Sequence, residues 1–144
     1  MNVKSVLVVC TGNICRSPIG EMVLASTCPN IEVSSAGIGA LVGKDIDPDA
    51  AIAAEQCGVA TRPHAARQLT TEILAQADLV LAMAPEHRRF IGENFPQALG
   101  KTMLFSRWDG DAGIEDPYRR SIEMHKLVIQ EIMKAADSWA QRLK

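Results

Sequence analysis

The sequence predicts an α/β fold in which a doubly wound, parallel sheet of four strands carries helices on both faces. Short apolar, β-branched runs alternate with longer segments of helical periodicity, and right-handed crossovers arrange such an alternation as a parallel sheet between helices. A chain of 144 residues that is 47% hydrophobic can bury the core of one domain of common size. We therefore expect one domain over residues 1–144, without an internal repeat or a linker.

The first strand and the first helix are predicted on either side of a short loop. Residues 5–9 read SVLVV, a continuously apolar run that is typical of a parallel strand covered on both faces. Ser17 and Pro18 are expected to supply a capping hydroxyl and a proline suited to the first helical position. Residues 10–17 form the connecting loop.

The second strand and the second helix follow. Residues 31–34 predict a strand that ends at residues 36–37. Asp47-Pro48 indicates the cap and first turn of an alanine-rich helix through Gln56, and Gly58 lies just beyond its predicted end.

The second half of the chain continues the alternation. Thr70 or Thr71 is expected to cap a short helix through Gln76, before residues 79–83 make a third strand and residues 102–105 a fourth. The last helix is predicted from about Arg119 to Leu143. Its core-facing stripe comprises Met124, Val128, Ile132, Ala135, Trp139 and Leu143.

The loop at residues 10–17 combines a thiol and a guanidinium in a form suited to phosphate ester chemistry. Gly12 and Asn13 tolerate the unusual backbone angles that turn successive amide N–H groups inward. Such a ring of donors at a helix N-terminus is an anion site. Oriented amides and a nearby arginine favour a thiolate, so we expect Cys10 to be ionised and able to attack phosphorus. Arg16 offers a planar fork that can hold two phosphoryl oxygens.

A proton donor for this chemistry has to come from a distant segment. The leaving oxygen of a phosphate ester departs slowly at neutral pH unless a general acid protonates it. The loop at residues 108–117 offers four carboxylates, and spacing alone does not choose among them: Asp109, Asp111, Glu115 and Asp116. Pro117 biases the preceding Asp116 toward an extended conformation, which limits the positions of its carboxylate.

These motifs together resemble the low-molecular-weight protein tyrosine phosphatases. Residues 10–17, CTGNICRS, are similar to the family's signature loop. Residues 34–37 resemble the end of its second strand, and residues 116–118 resemble its acid loop. The resemblance implies a strand order of 2-1-3-4, which places the phosphate-binding loop after strand 1 at the topological switch point of the sheet.

The same resemblance implies roles for individual residues. Cys10 would be the nucleophile that forms a phosphocysteine, Arg16 the phosphate clamp and Asp116 the general acid. Loop residues would bind phosphate or brace the loop: Thr11, Gly12, Asn13, Ile14, Cys15 and Ser17. Leu41 and Tyr118 would form the substrate rim. Cys15 either traps Cys10 in a reversible disulfide, as the resemblance suggests, or is a small core side chain.

Within the family, residues 39–44 and 116–121 look most similar to bacterial enzymes associated with capsule and exopolysaccharide export. The resemblance therefore implies a phosphotyrosine protein as the partner, namely an autophosphorylating bacterial tyrosine kinase that controls polysaccharide production.

Composition excludes several other classes of function. A net charge of −2 and a pI of about 5.9 disfavour nucleic-acid binding, and residues 62–67 and 87–89 are expected to be solvated surface. The segment at residues 1–9 is too short for a signal sequence and is needed as a strand, so we expect a cytoplasmic protein with reduced thiols and no membrane insertion. The cysteines lack paired spacings and the histidines His64, His87 and His125 are scattered, so neither a metal site nor a cofactor is indicated.

Two other functions remain open at this point. Arsenate reductases coupled to thioredoxin resemble the chain through residues 10–17, but they need two further cysteines after the third strand, where residues 82–89 contain none. A non-catalytic phosphate or phosphotyrosine-binding module would need Arg16 but neither Cys10 nor Asp116.

Overall fold

The computed structural model describes residues 2–143 and contains the predicted parallel sheet. Its strands are β1 (Ser5–Cys10), β2 (Glu32–Gly37), β3 (Leu79–Ala82) and β4 (Thr102–Leu104). They lie in the order β2-β1-β3-β4, and every neighbouring pair is parallel. The expected α/β class and strand order are therefore confirmed.

Helices cover both faces of the sheet. They are α1 (Arg16–Thr27), α2 (Pro48–Gln56), α3 (Thr71–Ala75), α4 (Pro85–Asn94) and α5 (Ile122–Leu143), with a 3₁₀ turn at Pro96–Lys101. Alternate residues of β1 point to opposite faces: Val6 and Val8 pack in the core cluster beneath α1, α2 and α5, whereas Leu7 and Val9 pack in the one formed with α3 and α4. Both faces of β1 are thus buried, which explains its continuously apolar sequence.

Two of the predicted helix caps are confirmed. The carboxylate of Asp47 accepts a hydrogen bond from the Ala50 N–H at 3.1 Å, and the hydroxyl of Thr70, rather than Thr71, accepts one from the Ile73 N–H at 3.2 Å. Gly58 lies beyond the end of α2 with a φ of +81°, a left-handed conformation that glycine adopts without strain.

Two predicted helix starts were wrong. Helix α1 begins at Arg16, so Ser17 and Pro18 lie within its first turn and Ser17 does not cap it. Its hydroxyl bonds to Cys10 instead. Helix α5 begins at Ile122 rather than near Arg119, because Arg119 has a φ of +63°, outside the helical region.

Helix α4 has no counterpart in the sequence prediction. Its surface is mostly charged, and His87 and Ile91 are its buried residues, so its apolar stripe is too sparse to indicate a helix. The predicted core stripe of α5 is confirmed: Val128, Ile132, Ala135, Trp139 and Leu143 are buried, and Met124 packs at the edge of the same cluster.

No helix within residues 2–143 combines the length and the apolar character that crossing a bilayer requires.

Candidate active site

The loop between β1 and α1 is held open by hydrogen bonds to its carbonyl oxygens. Five consecutive carbonyls, from Cys10 to Ile14, accept from groups outside the loop. The donors are the backbone N–H groups of Ile38, Gly39, Leu41 and Asp47, at 2.9–3.0 Å, and the ring Nε2 of His64, at 2.7 Å. Because every carbonyl points outward, the amide N–H groups of the loop face its interior. In the described chain, the N–H groups of residues 11–15 have no protein acceptor, so they are available to an anion, as the predicted cradle requires.

Asn13 sets the turn of this loop. Its φ of +59° is left-handed, a conformation that asparagine tolerates better than most residues. Its side-chain oxygen accepts from the Arg67 N–H at 3.0 Å, and its amide nitrogen donates to the hydroxyls of Ser17 and Ser35. Asn13 therefore braces the loop from behind, in a fully buried position.

The expectation that residues 62–67 are solvated surface holds for Arg62 and Arg67, which are exposed, but not for His64 and Ala66. His64 bonds to the Asn13 carbonyl, and Arg67 donates its Nε to the Ser35 carbonyl at 2.8 Å. Arg62 does lie at the surface, where it pairs with Glu21. The supporting role of His64 and Arg67 depends on contacts more than fifty residues away in sequence, which no local pattern indicates.

Gly37, at the end of β2, allows the loop to approach the sheet. A Cβ atom on Gly37 would lie 2.4 Å from the Thr11 carbonyl oxygen and 3.1 Å from the Asn13 backbone nitrogen. Any larger residue would push the cradle away from β2.

The sulfur of Cys10 lies at the end of a directed chain of hydrogen bonds. Its distance to the Ser17 hydroxyl oxygen is 2.8 Å, and that oxygen in turn accepts from Asn13 Nδ2 at 2.7 Å. Because Asn13 supplies a proton to Ser17, the Ser17 O–H is directed at the sulfur. A donor aimed at sulfur in a cradle of amides suits a thiolate.

Cys15 has a different environment. Burial, and to a lesser extent the carboxylates of Asp47 and Asp116, raise the pKa of its thiol well above the usual range, although Arg16 opposes them. A protonated thiol is a weak nucleophile. The environment of the two cysteines therefore favours Cys10 as the attacking group.

Arg16 is buried, with its guanidinium anchored at both ends. Nη1 donates to the Ile114 carbonyl at 2.8 Å, and Nη2 lies 3.5 Å from Asp116 Oδ2. The fork is thereby oriented across the mouth of the loop, where it can share donors between the protein and a phosphoryl group.

The acid loop is attached to the sheet at Ile114. Its N–H donates to the Met83 carbonyl at 2.7 Å, just beyond β3. The preceding Gly113 has a φ of +101°, and a Cβ there would lie 2.8 Å from Pro85 Cδ, so glycine is required for this close approach. Sequence reasoning missed Gly113 and Ile114, which bring Asp116 to the cavity that Cys10 also lines.

Of the four candidate carboxylates, the structure brings Asp116 to the loop. Asp111 pairs with Arg107 and Glu115 with Arg120, both at the surface. Asp116 Oδ1 accepts from the Tyr118 N–H at 3.0 Å, and this turn directs the carboxylate inward while leaving its side chain about half exposed.

A cavity of about 160 Å³ joins these groups. Its lining residues are Cys10, Thr11, Gly12, Ile14, Cys15, Arg16, Gly39, Leu41, Asp116 and Tyr118. Asn13 and Ser17 lie behind the loop, and the predicted rim residues Leu41 and Tyr118 are partly exposed at its mouth. A larger open depression, along α4 and β4, contains none of the three residues expected to carry the chemistry.

His87 supports the loop through a hydrogen bond to Thr11. The expectation that residues 87–89 are solvated surface was therefore wrong for His87. It is fully buried, and its Nδ1 accepts from the Ala84 N–H at 3.1 Å. The ring proton therefore lies on Nε2, which donates to the Thr11 hydroxyl at 2.9 Å. Arg88 and Arg89 are exposed, as expected.

We expect His87 to stay neutral until the solution is strongly acidic. Burial, with a contribution from the charge of Arg16, lowers the pKa of His87 from 6.5 to about 4. The neutral ring makes its full contribution to the free energy of unfolding above pH 6.5. As the pH falls from 6.5 toward 4, that free energy decreases by up to about 3 kcal/mol, because the unfolded state takes up a proton that the folded state does not. NMR titration of the ring measures the pKa directly, and a pKa near 6.5 would contradict this assignment. In urea unfolding, the His87→Gln variant should lose less stability than the wild type over that pH interval.

Comparison with known proteins identifies the family of this chain. The family model "low molecular weight phosphotyrosine protein phosphatase" matches residues 5–144. Etp of Escherichia coli K12, a low molecular weight protein-tyrosine-phosphatase, is 45% identical over 140 residues, which are 97% of this chain and 95% of Etp.

Two solved structures are similar over almost the whole chain. The tyrosine phosphatase Wzb of Escherichia coli K30 in complex with sulphate has a TM-score of 0.96 and 42% identity, covering 99% of each chain. Vibrio vulnificus Wzb in complex with benzylphosphonate has a TM-score of 0.94 and 44% identity, covering 97% of this chain and 99% of the other. This chain therefore belongs to the low molecular weight phosphotyrosine protein phosphatase family.

Proposed function

We propose that this protein hydrolyses phosphotyrosine in proteins through a phosphocysteine at Cys10. The observation that carries the proposal is the convergence of Cys10, Arg16 and Asp116 on one small cavity whose floor is a ring of inward-facing amides. This arrangement offers a nucleophile, an anion site and an acid within one site.

The first chemical step transfers the phosphoryl group to sulfur. The Cys10 thiolate attacks phosphorus and forms the S–P bond while the bond from phosphorus to the tyrosine oxygen breaks. Asp116, in its protonated form, gives its proton to that oxygen. The loop amides and Arg16 stabilise the charge on the remaining phosphoryl oxygens.

The second step releases phosphate. Asp116, now a carboxylate, removes a proton from a water molecule that attacks phosphorus, and the S–P bond breaks to return the Cys10 thiolate. Arg16 Nη2 lies 3.5 Å from Asp116 Oδ2, so it can reach a phosphoryl group that is bound beside Asp116. A bound phosphoryl group competes with Asp116 for this donor, which leaves Asp116 available to the leaving oxygen.

The apolar part of the cavity favours an aryl ester. Ile14 and Leu41 line it beside the ring of Tyr118, and such walls suit a phenyl ring better than the short side chain of phosphoserine.

Turnover of matched peptides tests the proposal. A phosphotyrosine peptide and para-nitrophenyl phosphate should be hydrolysed, and a phosphoserine peptide of the same sequence much more slowly. Mass spectrometry of acid-quenched reactions should find phosphate on Cys10. A binding module would bind the peptide without turnover, and an arsenate reductase would require arsenate and a thiol relay; either result would refute the proposal.

Replacing Asp116 by alanine should slow esters with poor leaving groups far more than activated ones. We expect a loss of roughly 10²- to 10³-fold in kcat for phenyl phosphate and a much smaller loss for para-nitrophenyl phosphate, because the better leaving group needs less protonation. Glu115→Gln, in the same loop but paired with Arg120 at the surface, is the matched control. Equal losses for both esters would remove Asp116 from the role of acid.

We also propose the biological setting implied by the resemblance to enzymes of exopolysaccharide export. The substrate would be an autophosphorylating bacterial tyrosine kinase in the cytoplasm, and residues 1–144 would act as one catalytic domain. The four cysteines are thiols rather than disulfides in the described chain, which supports a reducing compartment. Capture of phosphotyrosine proteins on the Asp116→Ala variant, followed by their identification, tests this assignment.

A further inference from the structure

Three potential metal ligands from two helices converge behind the phosphate-binding loop. Asp47 caps α2, Asp49 lies in the first turn of the same helix, and His125 lies in the first turns of α5. One nitrogen of His125 and one oxygen of each carboxylate all lie within 4.8 Å of one another. More than seventy residues separate His125 from the two carboxylates, so this cluster exists only in the folded chain.

His125 has an unusual position for a polar side chain. It is 1% exposed, yet its Nε2 has no hydrogen-bond partner among residues 2–143. The oxygen Oδ2 of Asp47 lies 3.8 Å from this nitrogen, too far for a hydrogen bond. A buried polar atom without a partner is costly, and such atoms in native proteins commonly have an ion or a water as partner.

We propose that Asp47, Asp49 and His125 bind a divalent transition metal ion of the zinc class. One imidazole nitrogen and two carboxylate oxygens, with solvent completing the shell, form a common ligand set for such ions and a poor one for Mg²⁺ or Ca²⁺, which prefer oxygen alone. This site is separate from the cavity at Cys10 and does not depend on the proposed function.

The distances between the three side chains are compatible with a bound metal ion. Two ligands on zinc bonds of about 2.0–2.2 Å lie roughly 3.4 Å apart at a tetrahedral angle. The 3.8 Å between Asp47 Oδ2 and His125 Nε2 requires inward movement of only a few tenths of an ångström. Asp49 is exposed, so its carboxylate can rotate toward the ion and leave a side open to water.

One electrostatic contribution opposes the binding of a cation at this cluster. The N-terminus of α2 carries partial positive charge, which disfavours a cation. Two carboxylates supply two full negative charges at the same place and outweigh this partial charge, and the cap bond from Ala50 to Asp47 already orients one of them.

Metal binding at this site would act on the fold and on the loop. It would tie α2 to α5, and Asp47 is also bonded to the loop, because its N–H donates to the Ile14 carbonyl at 2.9 Å. We therefore expect one equivalent of metal to raise the thermal unfolding temperature, since an ion that binds only the folded state stabilises it.

Cobalt provides a probe that distinguishes this site from the thiols. Cys10 and the other cysteines can also bind transition metals, but thiolate ligands add intense sulfur-to-cobalt charge-transfer absorption, whereas a nitrogen and oxygen site does not. Titration of the apoprotein with Co²⁺ should show one equivalent bound without that absorption, and Zn²⁺ should displace it. Mg²⁺ should leave both the spectrum and the unfolding temperature unchanged.

Three variants assign the ligands. His125→Phe keeps a ring in the core and removes the nitrogen, and Asp49→Asn removes an exposed carboxylate without touching the core. Each should weaken Co²⁺ binding by at least about tenfold, because even the loss of a group supporting a metal ligand costs that much. Glu55→Gln, on the exposed side of α2, is the matched control and should bind as the wild type does.

Several results would overturn the proposal. One is a Co²⁺ spectrum that shows only thiolate ligation, and another is wild-type affinity in the Asp49→Asn variant. A third is an NMR signal of His125 Nε2 that does not move on addition of Zn²⁺, which would indicate that the histidine pairs directly with Asp47. If His125→Phe does not fold, the Asp49→Asn variant and the NMR signal still decide the question.

Discussion

Replacing Cys10 by serine is expected to reduce kcat for para-nitrophenyl phosphate by roughly 10⁴-fold or more. The Ser17 hydroxyl and the amides of the loop are arranged to stabilise a charged sulfur. A serine hydroxyl is a far weaker acid than a thiol. Within residues 2–143, the hydrogen-bond partner of the Cys10 sulfur is the Ser17 hydroxyl, which is directed as a donor and so would not remove a proton from residue 10. Initial rates and phosphate release measure the loss.

Phosphate binding should survive this substitution, because the amides and Arg16 remain in place. Calorimetry with inorganic phosphate should find similar affinity in Cys10→Ser and in the wild type. Cys57→Ser, at the end of α2 and away from the cavity, is the matched control and should keep normal turnover. Substantial hydrolysis by the Cys10→Ser variant would exclude the covalent mechanism.

Replacing Arg16 by lysine should have the second largest effect, a loss of about 10³-fold in kcat/KM. The guanidinium donates to the Ile114 carbonyl with one nitrogen and reaches the cavity with the other. A lysine ammonium is a single charged point, so it cannot hold the acid loop and two phosphoryl oxygens in the same geometry. Loss of one such donor set in the transition state costs rate on this scale.

Two measurements separate this effect from general destabilisation. Circular dichroism should show a folded Arg16→Lys protein under the assay conditions. Arg89→Lys, an exposed change of the same type on α4, should keep wild-type kinetics. A rate for Arg16→Lys within a few-fold of the wild type would show that the planar fork does not stabilise the transition state.

The proposed roles differ in how directly they follow from sequence. Cys10 and Arg16 lie in one loop, where the turn residues Gly12 and Asn13 are adjacent, so local chemistry was enough to predict that both belong to an anion site. The general acid could not be chosen in this way, because the spacing of residues allowed four carboxylates and only the family resemblance favoured Asp116. The structure brings Asp116 to the cavity through Gly113 and through the attachment of Ile114 to the sheet and to Arg16.

The side chains that hold the loop from outside could not be identified from the sequence. His64, Arg67 and His87 looked like parts of charged surface segments, yet each bonds to the loop across 51 to 76 residues. Helix α4, which carries His87, was missed for the same reason: a helix with few buried positions has no clear apolar stripe.

The amino-acid sequence by itself determined the class of fold, the strands of the sheet, most helices and the loop that we propose to bind the anion. These features arise from neighbours along the chain, whose periodicity, caps and turn residues act over a few positions. Tertiary structure alone decided the position of Asp116 at the cavity that Cys10 lines, the burial of His87 beside the loop and the meeting of Asp47, Asp49 and His125. Each of these features depends on which distant elements pack together and on how they exclude water from the space between them. The spacing of residues along a single segment does not indicate such packing or such exclusion of water.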